Sequence, residues 1–249
     1  MLPDTLFMGQ QLYFLPECES TNAEAQLLLN KNEATEGCVV LTAKQTKGRG
    51  QRGNSWEAAP GKNITLSVIL SPSFLAVRHQ FYLNIAVALG VLDLLHELGL
   101  ATATIKWPND LFVEDKKLGG ILIENTINSL CLQHSIIGIG LNVNQLRFSY
   151  PAATSIASVL QQELDVQVLV KRLLELLEKR YLQLRAGQHD RLKYAYLQRL
   201  FRFQERHLFE VAGKQVAGQI IGVRETGELA VEMEQKLHYF GFKEIKYLI

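Results

Sequence analysis

The sequence predicts an α+β chain in which strands and amphipathic helices are interspersed as far as about Phe201, with short strands alone beyond. Three observations carry this. Apolar residues recur at helical spacing in Phe81–Leu98 and again between Asp165 and Leu184, where Leu169, Leu173, Leu176, Leu177 and Leu184 form one stripe. Compact apolar runs such as Cys38–Ala43 and Ile64–Leu70 have strand composition. From Arg206 onward the segments HLFEV, QVAGQIIGV, ELAVEM, KLHYF and EIKYLI are separated by Gly-Lys, Glu-Thr-Gly-Glu and similar turns, the rhythm of a small antiparallel barrel.

In chain order, Gln11–Leu15 reads as a short strand. Ala23–Leu29 reads as a helix capped by Ser20 or Thr21. Cys38–Ala43 is a strand, Lys44–Lys62 a polar glycine-bearing segment, and Ile64–Leu70 a strand with alternating pattern. Phe81–Leu98 is a helix that Gly99 stops. Ala103–Lys106 and Leu111–Val113 are short strands flanking Trp107-Pro108-Asn109-Asp110, where proline, lacking a donor and fixing its own φ, bends the chain. Glu114–Lys117 is a hairpin tip before the strand Leu118–Glu124, and Leu130–Val143 is the longest strand-like stretch. After the long helix, Lys193–Phe201 is helical. A domain boundary is expected near Phe203, dividing residues 1–202 from 203–249.

The chain has 249 residues, 47% of them hydrophobic, enough for a sizeable core. Lys and Arg number 26 against 25 Asp and Glu, so the basic excess of a general nucleic-acid binder is missing and any positive potential is local. Cys18, Cys38 and Cys131 are odd in number and far apart, which argues against a disulfide framework or zinc site and for a reducing compartment. The N-terminus lacks a basic segment followed by an apolar one, and no run approaches the roughly eighteen apolar residues of a membrane span. A cytoplasmic protein with no membrane partner is expected.

Four segments carry candidate chemistry. In Gln45–Trp56 the stretch Gly48-Arg49-Gly50-Gln51-Arg52-Gly53 packs glycines and arginines closely. Glycine lets backbone N–H groups approach an anion, and the planar arginine fork matches carboxylate or phosphate oxygens. It is not a phosphate-binding loop of the Gly-Lys-Ser/Thr kind. A solvated turn or a basic RNA-binding tract fits equally well. Lys106-Trp107-Pro108-Asn109-Asp110 holds a lysine, an amide and a carboxylate at a rigid bend. Such a trio can meet phosphates, coordinate magnesium through oxygen or orient an amine, and it can equally be a plain turn over a packed tryptophan. In Lys116-Lys117-Leu118-Gly119-Gly120-Ile121-Leu122-Ile123-Glu124, a lysine beside glycines can reach an anionic intermediate, or simply decorate a charged hairpin tip. In Gly138-Ile-Gly140-Leu-Asn142-Val-Asn144, small residues admit a flat ligand or close packing at a strand end.

Ser20-Thr21-Asn22, GRGQRGNSW, KWPNDL, KKLGGILIE and GIGLNVN, in that order from about Tyr13 to Asn144, resemble the biotin protein ligase family. The resemblance implies a mixed-sheet catalytic domain of the biotin/lipoate ligase type followed by a small SH3-like β-barrel. It implies a two-step reaction in which biotin and ATP, with Mg2+, give biotinyl-AMP, and a lysine of a biotin carboxyl carrier protein then takes the biotin. With the first strand so near Met1, the resemblance is to the monofunctional form without a DNA-binding domain; the family includes monomers and homodimers. It places Ser20, Thr21, Asn22, Gln45, Gly48, Arg49, Gly50, Gln51, Lys117, Gly138 and Gly140 on biotin. Arg52, Asn54, Trp56, Lys106, Asn109, Lys117 and Asn142 fall to the nucleotide, with Asn142 assisting magnesium. Arg49, Lys117, Asp110 and Lys106 are the implied catalytic set, with Asp110 orienting or deprotonating the acceptor lysine. Two positions depart from the pattern: many relatives carry arginine where this chain has Gln51, and Asn54 is neutral where basic residues are common. A neutral Gln51 is expected to hold a charged intermediate less firmly.

Lipoate or octanoate ligases share the architecture but carry different glycine and arginine motifs and normally lack KWPND. A nucleic-acid binder is disfavoured by the balanced charge and by the lack of aromatic residues among the basic ones. The intact lysines and Asp110 disfavour a non-catalytic biotin sensor.

Overall fold

The computed structural model describes residues 2–248, except for the side chain of Arg52. Seven strands form a mixed sheet in the order β1-β2-β3-β7-β6-β5-β4. These are β1 (Leu12–Leu15), β2 (Val39–Thr42), β3 (Ile64–Leu70), β4 (Ala103–Lys106), β5 (Asp110–Val113), β6 (Lys116–Asn128) and β7 (Cys131–Leu141). Only β1 and β2 run parallel; the other neighbours are antiparallel. The longest strand is β6, not the 131–141 strand: after the Glu114–Asp115 turn the chain runs on past Glu124 as far as Asn128. All seven residues of β3 are buried, yet the expected alternation is there: Ile64, Leu66, Val68 and Leu70 enter the main core, and Thr65 and Ser67 point to the other face.

One face of the sheet is covered by α2 (Phe81–Glu97) and α4 (Val166–Arg185). The Asp165 carboxylate caps α4 by accepting from the N–H groups of Gln167 and Val168. The expected leucine stripe is buried against α2. Gly90 lets the two helices approach, since a Cβ there would meet Leu177 Cδ2 at 2.9 Å. Each such leucine stabilises the fold by about 1.5–3 kcal/mol through the area it removes from water. α5 (His189–Leu197) starts and ends earlier than expected, because residues 198–203 form turns that bring Leu200 beside Ile105 of β4. A short helix, α3 (Ile156–Leu160), capped by Ser155, has no amphipathic run long enough to be seen in the sequence.

The opposite face carries α1 (Thr21–Asn30), whose Ala25 packs with Cys38, Val40, Ile69 and Ile136. Ser20 occupies the N-cap position without a side-chain capping bond, and Thr21 is already helical. Because α1 covers only part of this face, a cavity is left beside it.

Residues beyond 203 form a five-stranded antiparallel sheet, β11-β10-β9-β8-β12. Its strands are β8 (Arg206–Val211), β9 (Lys214–Val223), β10 (Leu229–Met233), β11 (Lys236–Phe240) and β12 (Ile245–Tyr247). The five expected strands are all present. This is the small antiparallel unit expected after residue 203; among the described residues no ladder joins its end strands β11 and β12. Its β9–β10 turn docks on the first unit, where Gly227 O accepts from Trp107 Nε1 at 2.8 Å. Among the described residues the three cysteines are free, and no helix is long and apolar enough to cross a membrane.

Candidate functional site

The sheet face beside α1 has a floor of small residues. Strand register puts Thr65, Gly140, Gly120 and Asp110 in one row across β3, β7, β6 and β5. Two residues along, on the same face, Ser67, Gly138 and Leu122 form a second row. The cavity above this floor measures about 620 Å³, within the range of small-molecule sites. It is lined by residues from α1, the 45–56 loop, β3, β5, β6, β7 and the 106–110 bend, together with Phe242–Tyr247 of the second sheet.

At the α1 end the polar side chains hold one another. Gln45 Oε1 accepts from Thr21 N at 2.8 Å. Ser67, fully buried, donates to Asn22 Oδ1 at 2.6 Å and lies 2.8 Å from Thr21 Oγ1. Glu124 Oε2 accepts from Asn22 Nδ2 at 2.6 Å and lies 3.5 Å from Arg49 Nη2. Gly138 is glycine because the Asn22 amide occupies the place of its Cβ, and Gly140 because the Trp56 indole does the same. These two glycine sites are filled by protein side chains, so they are not open seats for a flat ligand. Among the described residues the buried Trp56 Nε1 has no partner.

The 45–56 loop is a small hairpin. Trp56 N donates to Gly48 O at 3.0 Å, Gly50 N donates to Asn54 O at 2.7 Å, and residues 51–53 make one 3-10 turn at the tip. Arg49, Gly50, Gln51, Asn54 and Trp56 line the cavity, whereas Gly48 does not. Gly48 serves the hairpin, since a Cβ there would collide with Trp56 O. The Arg52 side chain, assigned above to the nucleotide, lies outside the described residues.

Lys106 ends β4 and Asp110 begins β5, so the bend between them is the tip of a hairpin in which the two residues are Cα partners. The tip is held from several sides. Asn84 of α2 donates to Pro108 O at 2.7 Å, Asn109 Nδ2 donates to Ile121 O, and Trp107 is tied to Gly227. The Trp107–Pro108 peptide is cis.

Asp110 Oδ1 pairs with Lys117 Nζ at 2.7 Å. Gly120 leaves room for this pair, because a Cβ there would come within 3.3 Å of Asp110 Oδ1. Lys106 is held differently. Its Nζ lies 4.6 Å from the Phe112 ring centroid and 5.1 Å from that of Tyr247. Burial lowers its pKa below the ordinary lysine value. Asp110 opposes the shift, and Lys117 and Arg202 reinforce it.

Asn142 does not reach the cavity wall. It lies just beyond β7, where its Nδ2 donates to Thr154 O at 3.0 Å, and its Oδ1 is buried without a partner. Among the described residues no cluster of three His, Cys, Asp or Glu side chains is placed to hold a metal. The one carboxylate in the cavity lining, Asp110, is committed to Lys117. These residues do not fit a protein-held magnesium site. Thr65 and Ser67 were missed in the sequence, as were Phe242, Ile245 and Tyr247; Lys243 and Lys246, available near the C-terminus but assigned no role from the sequence, line the cavity beside them. The polar Thr65 and Ser67 at alternate positions of an otherwise apolar strand were the available signal.

Residues 14–142 match the model of the biotin/lipoate A/B protein ligase family. The chain belongs to this family. Ligase relatives align with it beyond that segment. A biotin–[acetyl-CoA-carboxylase] ligase of Mycobacterium tuberculosis is 31% identical over 229 residues, covering 90% of this chain and 84% of the relative. The bifunctional ligase/repressor BirA of Bacillus subtilis is 34% identical over 182 residues, covering 71% of this chain. The match spans only 55% of that relative's length. In fold, the biotin protein ligase from Aquifex aeolicus in complex with biotin and ATP superposes with a TM-score of 0.80 at 22% identity, over 96% of this chain and all of the other.

Proposed function

We propose that this chain is an ATP-dependent biotin–protein ligase. In this reading the biotin carboxylate attacks the α-phosphorus of ATP, giving biotinyl-AMP and pyrophosphate. A lysine of a biotin carboxyl carrier protein then attacks the mixed anhydride and releases AMP. One observation carries it: Arg49, Lys106, Lys117 and Asp110 line the same cavity as Ser20, Thr21, Asn22 and Gln45.

Each need of the reaction has a residue to meet it. The ureido ring requires donors and acceptors, which the Thr21–Gln45 end supplies, while Leu122 and Trp56 provide apolar wall. Arg49 faces the carboxylate and the nascent anhydride. To bind it, Arg49 exchanges the exposed Glu124 pair for the ligand. Lys117 stabilises charge where carboxylate and α-phosphate meet, a role in which losing one donor typically costs about 2.7–4 kcal/mol. Lys106 and Asn109 serve the nucleotide, whose magnesium arrives with the triphosphate. Asp110, which already pairs with one lysine ammonium, orients or deprotonates the incoming one. Residues 1–202 are assigned as the catalytic unit, and residues 203–249 as the part that closes its nucleotide end.

Biotin-dependent exchange of labelled pyrophosphate into ATP tests the first step, and addition of a purified carboxyl-carrier domain tests the second. Exchange that depends on lipoate in place of biotin, or no exchange at all, refutes the assignment.

A further inference from the structure

The two lysines that face the cavity are held by opposite devices. Lys117 is neutralised by Asp110 at 2.7 Å. Lys106, the Cα partner of Asp110 across the same hairpin, has no carboxylate partner at ion-pair distance among the described residues; Asp110 is turned to Lys117 instead. Its ammonium rests between two ring faces, Phe112 from β5 and Tyr247 from β12. Those rings belong to one aromatic row. Phe112 meets Phe201 at 5.5 Å, Phe201 meets Tyr247 at 6.0 Å, and Tyr247 meets Phe209 at 5.4 Å. The row therefore ties β5, the 198–203 turns, β12 and β8 together.

We infer that Tyr247 is a positioning residue: its ring, with that of Phe112, holds the Lys106 ammonium at the cavity as an uncompensated cation ready for an anionic polyphosphate. An ion pair would place the lysine equally well but would have to be broken before an incoming phosphate could use the charge. A ring quadrupole attracts the ammonium without consuming its N–H donors. Burial of Lys106 makes the arrangement dependent on such compensation, since desolvation works against its charge. Among the described residues the buried Tyr247 hydroxyl has no hydrogen-bond partner, so the ring and not the polar tip accounts for its place. The second sheet thus acts on the site through an aromatic face. This inference rests on the nucleotide assignment above for the identity of the anion, but not for the placement of Lys106.

Two measurements test it. In ligand-free protein labelled with 13C at lysine Cε, with Lys106 assigned by Lys106→Arg, the Lys106 ε protons should be displaced upfield by the ring currents. Tyr247→Leu should remove most of that displacement, and Tyr247→Phe should retain it. Binding of a non-hydrolysable ATP analogue is then measured with phenylalanine carrying no, one, two and three ring fluorines at position 247. Fluorination weakens the quadrupole at nearly constant shape. Affinity should fall stepwise, by about three- to ten-fold over the series, while biotin affinity stays constant and Tyr247→Phe binds like the parent. A merely structural ring would give a flat series. A flat series, or an undisplaced Lys106 signal in the parent, overturns the inference. Ring-current displacement without any binding of the ATP analogue supports the placement of Lys106 and overturns the nucleotide assignment.

Discussion

Asp110→Asn separates the two half-reactions. The substitution keeps shape and leaves an acceptor oxygen for Lys117, but removes the charge from a contact of 2.7 Å. The two side chains are 28% and 27% exposed, so both charges keep part of their hydration. Pairs screened in this way contribute about 1 kcal/mol at most, and the folded state should lose no more than that. Adenylate formation relies on cations that remain in place, so pyrophosphate exchange should stay within about ten-fold of the parent, equivalent to about 1.4 kcal/mol in the barrier. Transfer needs a base near the acceptor amine, and losing a positioned base typically costs about 100- to 10,000-fold. The assay is a single-turnover transfer from preformed biotinyl-AMP to a carrier domain, run beside biotin-dependent pyrophosphate exchange. Transfer at the parent rate, with exchange intact, would refute the role given to Asp110.

Gly140→Ala drives a methyl group into the Trp56 ring and should cost about 1–3 kcal/mol from overpacking. In a Trp107→Phe background, which leaves Trp56 as the one remaining tryptophan of the two in the chain, its emission should shift to the red; an unchanged spectrum contradicts the packing. Trp107→Phe by itself removes the bond to Gly227 O and should cost about 1–2 kcal/mol. For a chain of this size that is a melting temperature lower by about 2–8 °C, readable by calorimetry. Because burial lowers the Lys106 pKa, affinity for an ATP analogue should fall with rising pH sooner than for a solvent-exposed lysine of pKa 10.5. In the same window the unfolded chain binds the extra proton, so folding stability should rise with pH. An identical alkaline fall in Lys106→Arg, which keeps its charge, argues against the assignment. Gln51→Arg adds a cation to the cavity lining and should slow the escape of biotinyl-AMP, measured by filter retention of the labelled adenylate; an unchanged release rate removes the idea.

Most elements were legible in the sequence because their signals are local. The leucine stripe of α4, the apolar run of β3 and the five short strands after residue 203 are written in spacing and turn residues. Five motifs in order sufficed for the resemblance, and the structure brings the site residues assigned from them to one cavity, apart from Gly48 and Asn142, with the Arg52 side chain outside the described residues. What the local pattern misplaced depends on packing. The alternation of β3 was legible, but that its polar residues Thr65 and Ser67 are buried beside the site follows only from packing. The α5 helix was set too late because contacts with β4 decide where the chain turns. Asn142 was given to the cavity by motif adjacency, whereas the chain after β7 turns its amide to Thr154.

The sequence by itself determined the family, the order of strands and helices, and the supply of cations and glycines, since these follow from residue type and short-range spacing. Only the tertiary structure decided which lysine is neutralised and which is not. Strand register sets Asp110 against Lys117, and a ring from a strand more than a hundred residues away settles on Lys106. The free energy of a charge depends on what surrounds it in space, and no local stretch of sequence specifies those surroundings.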